Sequence, residues 1–518
     1  MLGIAVAAAF FAVCLFVAFK SPRKGALLCV FLLPWWGLEV DVGARLTAYL
    51  LASAALIPAV LIGTGKRAWA TVDWKSLHGF VWFAIFAILW SLSQVYFLPE
   101  ATVAGGVLRG TVARALLQIV VFILSISPVF LLPLTLRSMK DLYEAGRIYI
   151  VSCYCLAVVG FFQIGIWYVT GKDPLPIGIL NQLVGGYNAE NTTRSGVFLF
   201  EGSWIYRMCS LGGEPKVLGQ SLVVALILLL AKHMYSSSPL TFKTLASWAF
   251  LLAAIFATQS TSAFGLLAIA IVVLTLAYVM SSRRVSRSTG FATVATAACA
   301  VALLAGAVIA AGGWRAERAL TWTADVIKQR TIGRESMVED FDSAILGFLQ
   351  DQPSYVWMGV GLGNIHLYAD PYLDANTRRY AGGRVFFAKS AYLKLIAETG
   401  ILGLLLFLFA CLSMLARLKK LARKAWLSPW ERTWKSHVVL LFVLLCMIYM
   451  VRVYMAGHFF VCVGMAAATC SVFALRAKKT VPAAPGVWQY APSVPPSPRS
   501  LLNPEYSLRS FPGTPSRG

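Results

Sequence analysis

The 518-residue sequence predicts an all-α protein that crosses a bilayer many times, and three observations predict it. Residues are 59% hydrophobic and only 13% charged, where globular domains carry nearer a quarter. The apolar residues fall in runs close to the ~20 needed to cross about 30 Å of hydrocarbon. The polar segments between the runs alternate in charge, as the two faces of a membrane protein do.

About thirteen spans are expected from run length: near 2–19, 26–38, 46–64, 80–98, 117–136, 148–170, 219–235, 245–259, 262–281, 291–312, 393–415, 438–455 and 457–475. The second and eighth are short enough to be re-entrant. The first, Met1 to Phe19, lacks the basic start and small-residue cleavage site of a signal peptide and is expected to remain as a span. Nine of the ten cysteines fall inside runs and only Cys209 falls in a loop. Neither a disulfide framework nor a zinc site is expected, because ligands must share one compartment. No internal repeat stands out, which argues against an inverted-repeat transporter.

The net charge of +23 is distributed in a way that argues against nucleic acid as a partner. One alternating set of connections holds nearly all of it: Lys20, Arg23 and Lys24; Lys66, Arg67 and Lys75; Arg137, Lys140 and Arg147; Lys232 and Lys243; Arg283, Arg284 and Arg287; Arg417 to Lys435; and the tail from Arg476. The positive-inside rule puts this set in the cytoplasm, with anionic lipid as an additional attraction. The N-terminus is then outside and the C-terminus inside.

This topology divides the chain into N-terminal spans (1–170), a first long outer loop (171–218), spans (219–312), a second long outer loop (313–392), C-terminal spans (393–475) and a tail (476–518). The tail is rich in Pro and Ser without a period and is expected to be disordered. Loops as long as the two outer ones are usually functional, so chemistry is expected there.

The first long loop ends in Arg207, Gly212-Gly213, Glu214-Pro215-Lys216 and Leu218-Gly219, leading into an apolar run. Arg207, Glu214 and Lys216 sit where the outer face meets lipid and suit a phosphate group; the bland reading is a solvated ion pair at a helix start. Thr258 to Ala263 is a polar break between two apolar runs. The second loop holds Gly359-Val-Gly361-Leu-Gly363, without the strand–turn–helix context of a dinucleotide site, so a tight turn is the simple reading. His366, Asp370, Asp374, Arg378, Arg379, Arg384 and Lys389 follow, then Ser390, Tyr392, Lys394, Glu398, Gly400 and Gly403. Lys394 and Glu398 are four apart and can pair on one helical face. Arg452 lies inside a run, where it is a site candidate or a snorkelling side chain. Glu39 and Asp41, in the short first outer loop, read most simply as a solvated acidic turn.

In this order the residues resemble the O-antigen polymerase/ligase superfamily of membrane glycosyltransferases. Arg207…Glu214-Pro215…Leu218-Gly219, Thr258…Ser260-Thr261-Ser262-Ala263, and Gly359-x-Gly-x-Gly with Ser390-x-Tyr392-Leu…Glu398-x-Gly400-x-x-Gly403 match its three elements, over roughly residues 195–405. Ligases often carry His where this chain has Lys389, and many members carry Arg where it has Thr261; these departures favour the polymerase branch. The resemblance implies a GT-C-like membrane fold in a bacterial inner membrane and an undecaprenyl-pyrophosphate-linked oligosaccharide as substrate. It implies inversion at the anomeric carbon without metal, nucleotide sugar or other cofactor. A chain-length regulator and other assembly proteins would be partners. Arg207, Glu214 and Lys389 would be catalytic. Lys216, Arg378, Arg379, Arg384, Tyr392, Glu398 and Arg452 would hold substrate and pyrophosphate. The rivals are a metal-dependent enzyme using Glu39 and Asp41, and a transporter or lipid flippase.

Overall fold

The computed structural model describes residues 2–41, 45–98, 110–170, 197–200, 203–234, 241–281, 340–375, 378, 388, 390–424 and 456–479, with 427, 428, 431, 434, 435, 438, 439, 441–443 and 445 between the last two segments. They are mostly helical. In chain order the elements are α1 (Leu2–Lys20), α2 (Pro22–Leu32), β1 (Glu39–Asp41), β2 (Arg45–Thr47), α3 (Ala48–Gly63), α4 (Lys66–Thr71), α5 (Trp74–Gln94), α6 (Thr111–Thr135) and α7 (Met139–Thr170). Then come β3 (Val197–Phe200), β4 (Ser203–Tyr206), α8 (Pro215–Met234), α9 (Phe242–Ala257), α10 (Thr261–Ser281), α11 (Asp340–Asp351), α12 (Ser354–Met358), α13 (Ile365–Ala369), α14 (Ala391–Lys424) and α15 (Ala456–Lys479). Each strand pair is an isolated antiparallel hairpin.

Among the described residues, five helices are long and apolar enough to cross a membrane: α5 with the turn that follows it, α6, α7, and most of α14 and α15; α1, α3, α8, α9 and α10 carry shorter apolar stretches. The run at 26–38 does not form a span-length helix: α2 has 11 residues, about 16 Å of helix, and the chain then turns toward β1. Ser21 caps α2 and Pro22 starts it, a favoured pairing because the missing proline N–H has no helical partner to lose. The run at 291–312 and residues 446–455 of the run at 438–455 lie outside the described residues.

The last helix occupies the centre. The most apolar stretch of α15 is 89% buried, against 33–50% for the other four long helices. Gly464, Ala466, Ala467 and Ala468 explain this, because small residues let helices approach closely where lipid gives no hydrophobic drive to associate. Phe459 on α15 meets Phe407 at 5.3 Å and Phe442 at 5.7 Å between ring centroids, and Phe407 meets Phe83 of α5 at 5.4 Å. His458 also links to Ser221 of α8, Nε2 to Oγ 3.2 Å, and the Tyr149 hydroxyl of α7 donates to the Ser221 carbonyl at 3.1 Å. These contacts fix α8, which starts at Pro215 between Glu214 and Lys216.

Helix ends fall into two groups. At one end Arg417 of α14 grips Asp73, just before α5, through Nε and Nη2, both 2.8 Å from the carboxylate oxygens. The Asp73 amide donates to Ser471 of α15 at 3.0 Å. Arg23 pairs with Asp141 at 2.6 Å and with Glu144, and Arg476 pairs with Glu431. Arg23, Arg417 and Arg476, each from a connection singled out for basic charge, make these pairs. The opposite ends of α2, α5, α7 and α14 meet the glycine-rich segments described next.

Candidate active site

Two clusters stand at that second end, and each joins sequence elements far apart in the chain. The first is built around the strand that leads to Arg207. Tyr206 lies on Trp167 of α7, ring centroids 5.4 Å apart. The Met208 amide donates to the carbonyl of Ala257 at the end of α9, 2.9 Å, and the Met208 side chain fills the space beside Gly160. The Ser210 amide donates to Gln163 Oε1 at 2.8 Å. Arg207 is thus half-buried between two anchored neighbours. Gly213 then takes φ 81°, a left-handed turn suited to glycine, which reverses the chain into α8. Glu214 and Lys216 flank Pro215 and pair at 2.8 Å, each side chain about a quarter exposed.

This cluster contains two of the expected elements in direct contact. A methyl group at Gly219 would stand 2.7 Å from Ala263 Cβ and 2.9 Å from Thr258 Oγ1. The polar break at 258–263 is a turn that restarts the helix: Gln259 adopts φ 45°, and Ser260 Oγ accepts from the Ala263 amide at 3.3 Å and lies 3.0 Å from Ser262 Oγ.

The first outer loop joins the same cluster. The Gly37 amide donates to the Leu211 carbonyl at 3.0 Å, and a Cβ on Gly37 would lie 2.6 Å from Gly213 Cα. Glu39, two residues on, is 2% exposed. The expectation of a solvated acidic turn is corrected here. The loop is not a free turn: Gly37 lies against the 211–213 segment, the β1–β2 hairpin follows it, and Glu39 is out of water.

The second cluster is built around a break in α14. Gly400 has φ 72° and ψ 180°, a region open only to glycine. The break leaves the last carbonyls of the preceding helical turns without intrahelical partners. The glycine turn supplies them: the Val360 amide donates to the Ala397 carbonyl at 2.9 Å and the Gly361 amide to the Glu398 carbonyl at 2.8 Å. Gly359 abuts the backbone of Glu398 and Thr399, and Gly400 abuts the Trp357 carbonyl. On the other side, the Leu362 amide donates to Ser91 Oγ at 3.0 Å, Gly361 packs on Gln94 of α5 and Gly363 on Gln118 of α6. The turn therefore docks three helices. A small core of its own, including Ile345, Phe348, Val360, Ile365 and Ala397, backs it.

Lys394 and Glu398 pair at 3.7 Å as their spacing predicts, with Glu398 buried, and Tyr392 is half-buried against the main core. Arg378 is exposed and turned onto its own loop, donating to the Asp370 and Pro371 carbonyls at 2.9 and 2.8 Å and standing 3.8 Å from the Asp370 carboxylate. Lys389, Arg379, Arg384 and Arg452 lie outside the described residues.

The sequence names His366 in the polar stretch but gives it no role. It is 6% exposed, and neither ring nitrogen reaches hydrogen-bonding geometry with a partner among the described residues. Burial, and next the Arg114 guanidinium on α6, hold its pKa down at about 4, with the Gly363 carbonyl opposing. The imidazole is therefore neutral near pH 7 and resists protonation there. The one signal for it was its place three residues after the glycine turn. Among the described residues, no three of His, Cys, Asp and Glu come together as a metal-binding group.

Chemically, the first cluster presents a cation and an ion pair at a helix start, suited to phosphate oxygens. The second presents a neutral imidazole, a guanidinium and a buried carboxyl, suited to hydrogen-bonding sugar hydroxyls. No protein-family model matches this chain, and no curated protein is a significant match to it.

Proposed function

We propose that this chain is a membrane glycosyltransferase of a bacterial inner membrane, its N-terminus periplasmic and its C-terminus cytoplasmic, that polymerises undecaprenyl-pyrophosphate-linked oligosaccharide units into a surface polysaccharide. One observation carries the reading. The sequence elements that resemble the polymerase/ligase superfamily meet in pairs at one end of the helices: Gly219 with Thr258–Ala263, and Gly359–Gly361 with Ala397–Gly400.

In this reading a hydroxyl of the acceptor sugar attacks the anomeric carbon of the donor. The new glycosidic C–O bond forms as the bond to pyrophosphate breaks, and undecaprenyl pyrophosphate leaves with the electron pair. Arg207 and Lys216 stabilise the negative charge gathering on the leaving group, as fixed cations can do without reorganising. Glu214, held by Lys216, orients that pair or takes the acceptor proton. A polymerase must hold a donor and an acceptor together, and two separate polar clusters at one end suit that task.

The test is a deletion strain whose surface polysaccharide and undecaprenyl-linked intermediates are resolved by gel and mass spectrometry. Single repeat units accumulating without polymer is the expected result. Full-length polymer left on undecaprenyl pyrophosphate would make the chain a ligase, and units retained on the inner face would make it a flippase. Complementation with Arg207→Ala should restore the protein to the membrane and leave the polymer absent; an unchanged polymer ladder would remove Arg207 from the chemistry.

A further inference from the structure

At the end that carries the ion pairs, the acidic side chains are already taken. Asp73 holds Arg417, Glu431 holds Arg476, and Asp141 and Glu144 hold Arg23. Among the cations at this end with no acidic partner among the described residues are Lys419 and Arg423, and Lys435 on the segment before α15. Lys419 and Arg423 are exposed and four apart, hence on one face of the last turns of α14. Two anchors bring Lys435 to the same level. Arg417 reaches, through Asp73, Ser471 of α15, and Trp434 donates from Nε1 to Thr469 of the same turn at 3.1 Å. Trp434 is buried and lies 3.5 Å from a Cβ placed on Gly146 of α7, so its neighbour Lys435 is fixed where α7, α14 and α15 end together.

Lys435 is half-buried. Desolvation, then the charges of Arg423 and Lys419, push its pKa below the ordinary lysine value. Two like charges beside a half-buried ammonium make an unfavourable arrangement unless an anion completes it. A basic pocket between helix ends at the bilayer surface takes the phosphate of a lipid headgroup.

We propose that Lys419, Arg423 and Lys435 form a binding site for the phosphate of an anionic lipid headgroup. The site is independent of the proposed glycosyl transfer and stands at the opposite end of the helices from it.

The full chain, purified into phosphatidylcholine nanodiscs, should bind added phosphatidylglycerol as read by native mass spectrometry, with a matching rise in thermal midpoint. K419Q/R423Q/K435Q should weaken that binding on the order of 100-fold and abolish the rise. K66Q/R67Q/K75Q removes the same charge from exposed positions at the same end and should keep both. Equal loss in the two triple variants would overturn the site in favour of a diffuse charge effect. A midpoint raised by inorganic phosphate but not by phosphatidylglycerol would overturn the lipid assignment. If the first triple variant is unstable before lipid is added, Lys435→Gln alone supplies the test: retention of full phosphatidylglycerol affinity would overturn the proposal.

Discussion

The two ends of this helical assembly are held together by different physics. One end is clamped by side-chain charge: bidentate Arg417–Asp73, Arg23 with Asp141 and Glu144, Arg476 with Glu431. The other is joined by backbone lying on backbone, with Gly37 on Gly213, Gly359 on Glu398 and Gly400 on Trp357. Charge pairs tolerate small displacements, since Coulomb attraction falls slowly with distance. Backbone contacts at van der Waals range do not, because one added methyl forces the chains apart. The end that holds the candidate site is thus the geometrically stricter one, as a site that must fix reacting groups requires.

The largest expected effect comes from breaking the strict end. Gly400→Val forces a β-branched residue into a glycine-only conformation, about 3 kcal/mol, and drives its side chain into the Trp357 carbonyl, about 2 kcal/mol more. Thermal unfolding in detergent should show a loss of about 5 kcal/mol or no folded protein; a midpoint near that of the native chain would mean the α14 break is not required. Breaking the clamped end should cost somewhat less. Asp73→Ala leaves Arg417 partly buried without its partner and should cost about 4 kcal/mol, with Asp73→Asn intermediate.

Acid separates the two ends in a third way. The folded pKa of His366, about 4, lies below its unfolded value of 6.5, so the unfolded chain takes up the proton first as pH falls. The stability this histidine contributes is complete above about pH 6.5 and is lost as pH falls toward 4, about 3 kcal/mol in all. His366→Leu should flatten unfolding against pH across that window; an unchanged slope would show that this imidazole is not shielded. The smallest effect belongs to Arg23, whose side chain is 42% exposed. Arg23→Ala should change stability by less than about 1 kcal/mol, and a loss as large as that of Asp73→Ala would erase the distinction between screened and buried clamps.

Long-range order along the chain was readable where it depends on local pattern. Apolar runs mark α3, α5, α6, α7, α14 and α15 because a helix in lipid must satisfy its own backbone. The Lys394–Glu398 pair follows from helical spacing alone. The break at Gly400 was not readable, since the stretch from Ser390 to Gly403 has helical periodicity and only a partner loop 40 residues earlier makes the left-handed conformation favourable. Glu39 was misread for a related reason. A short polar loop looks solvated until its packing is known; here Gly37, two residues before Glu39, lies against residues 211–213, and Glu39 is buried. For Arg207, Glu214 and Lys216, sequence placed the charges together, and the structure adds the anchors Trp167, Gln163 and Ala257.

The clamp at Asp73 also sets a timetable for synthesis. Its guanidinium partner comes 344 residues later and the hydroxyl of Ser471 comes 398 residues later. At about 5–20 residues per second, roughly 20–70 s separate the emergence of α5 from that of Arg417. Throughout that interval the nascent chain carries an unmatched carboxylate at the bilayer surface and lacks the helix that becomes its centre. The early spans must therefore wait, loosely associated, within reach of the insertion machinery and of membrane proteases, and the protein closes only when its last helix arrives.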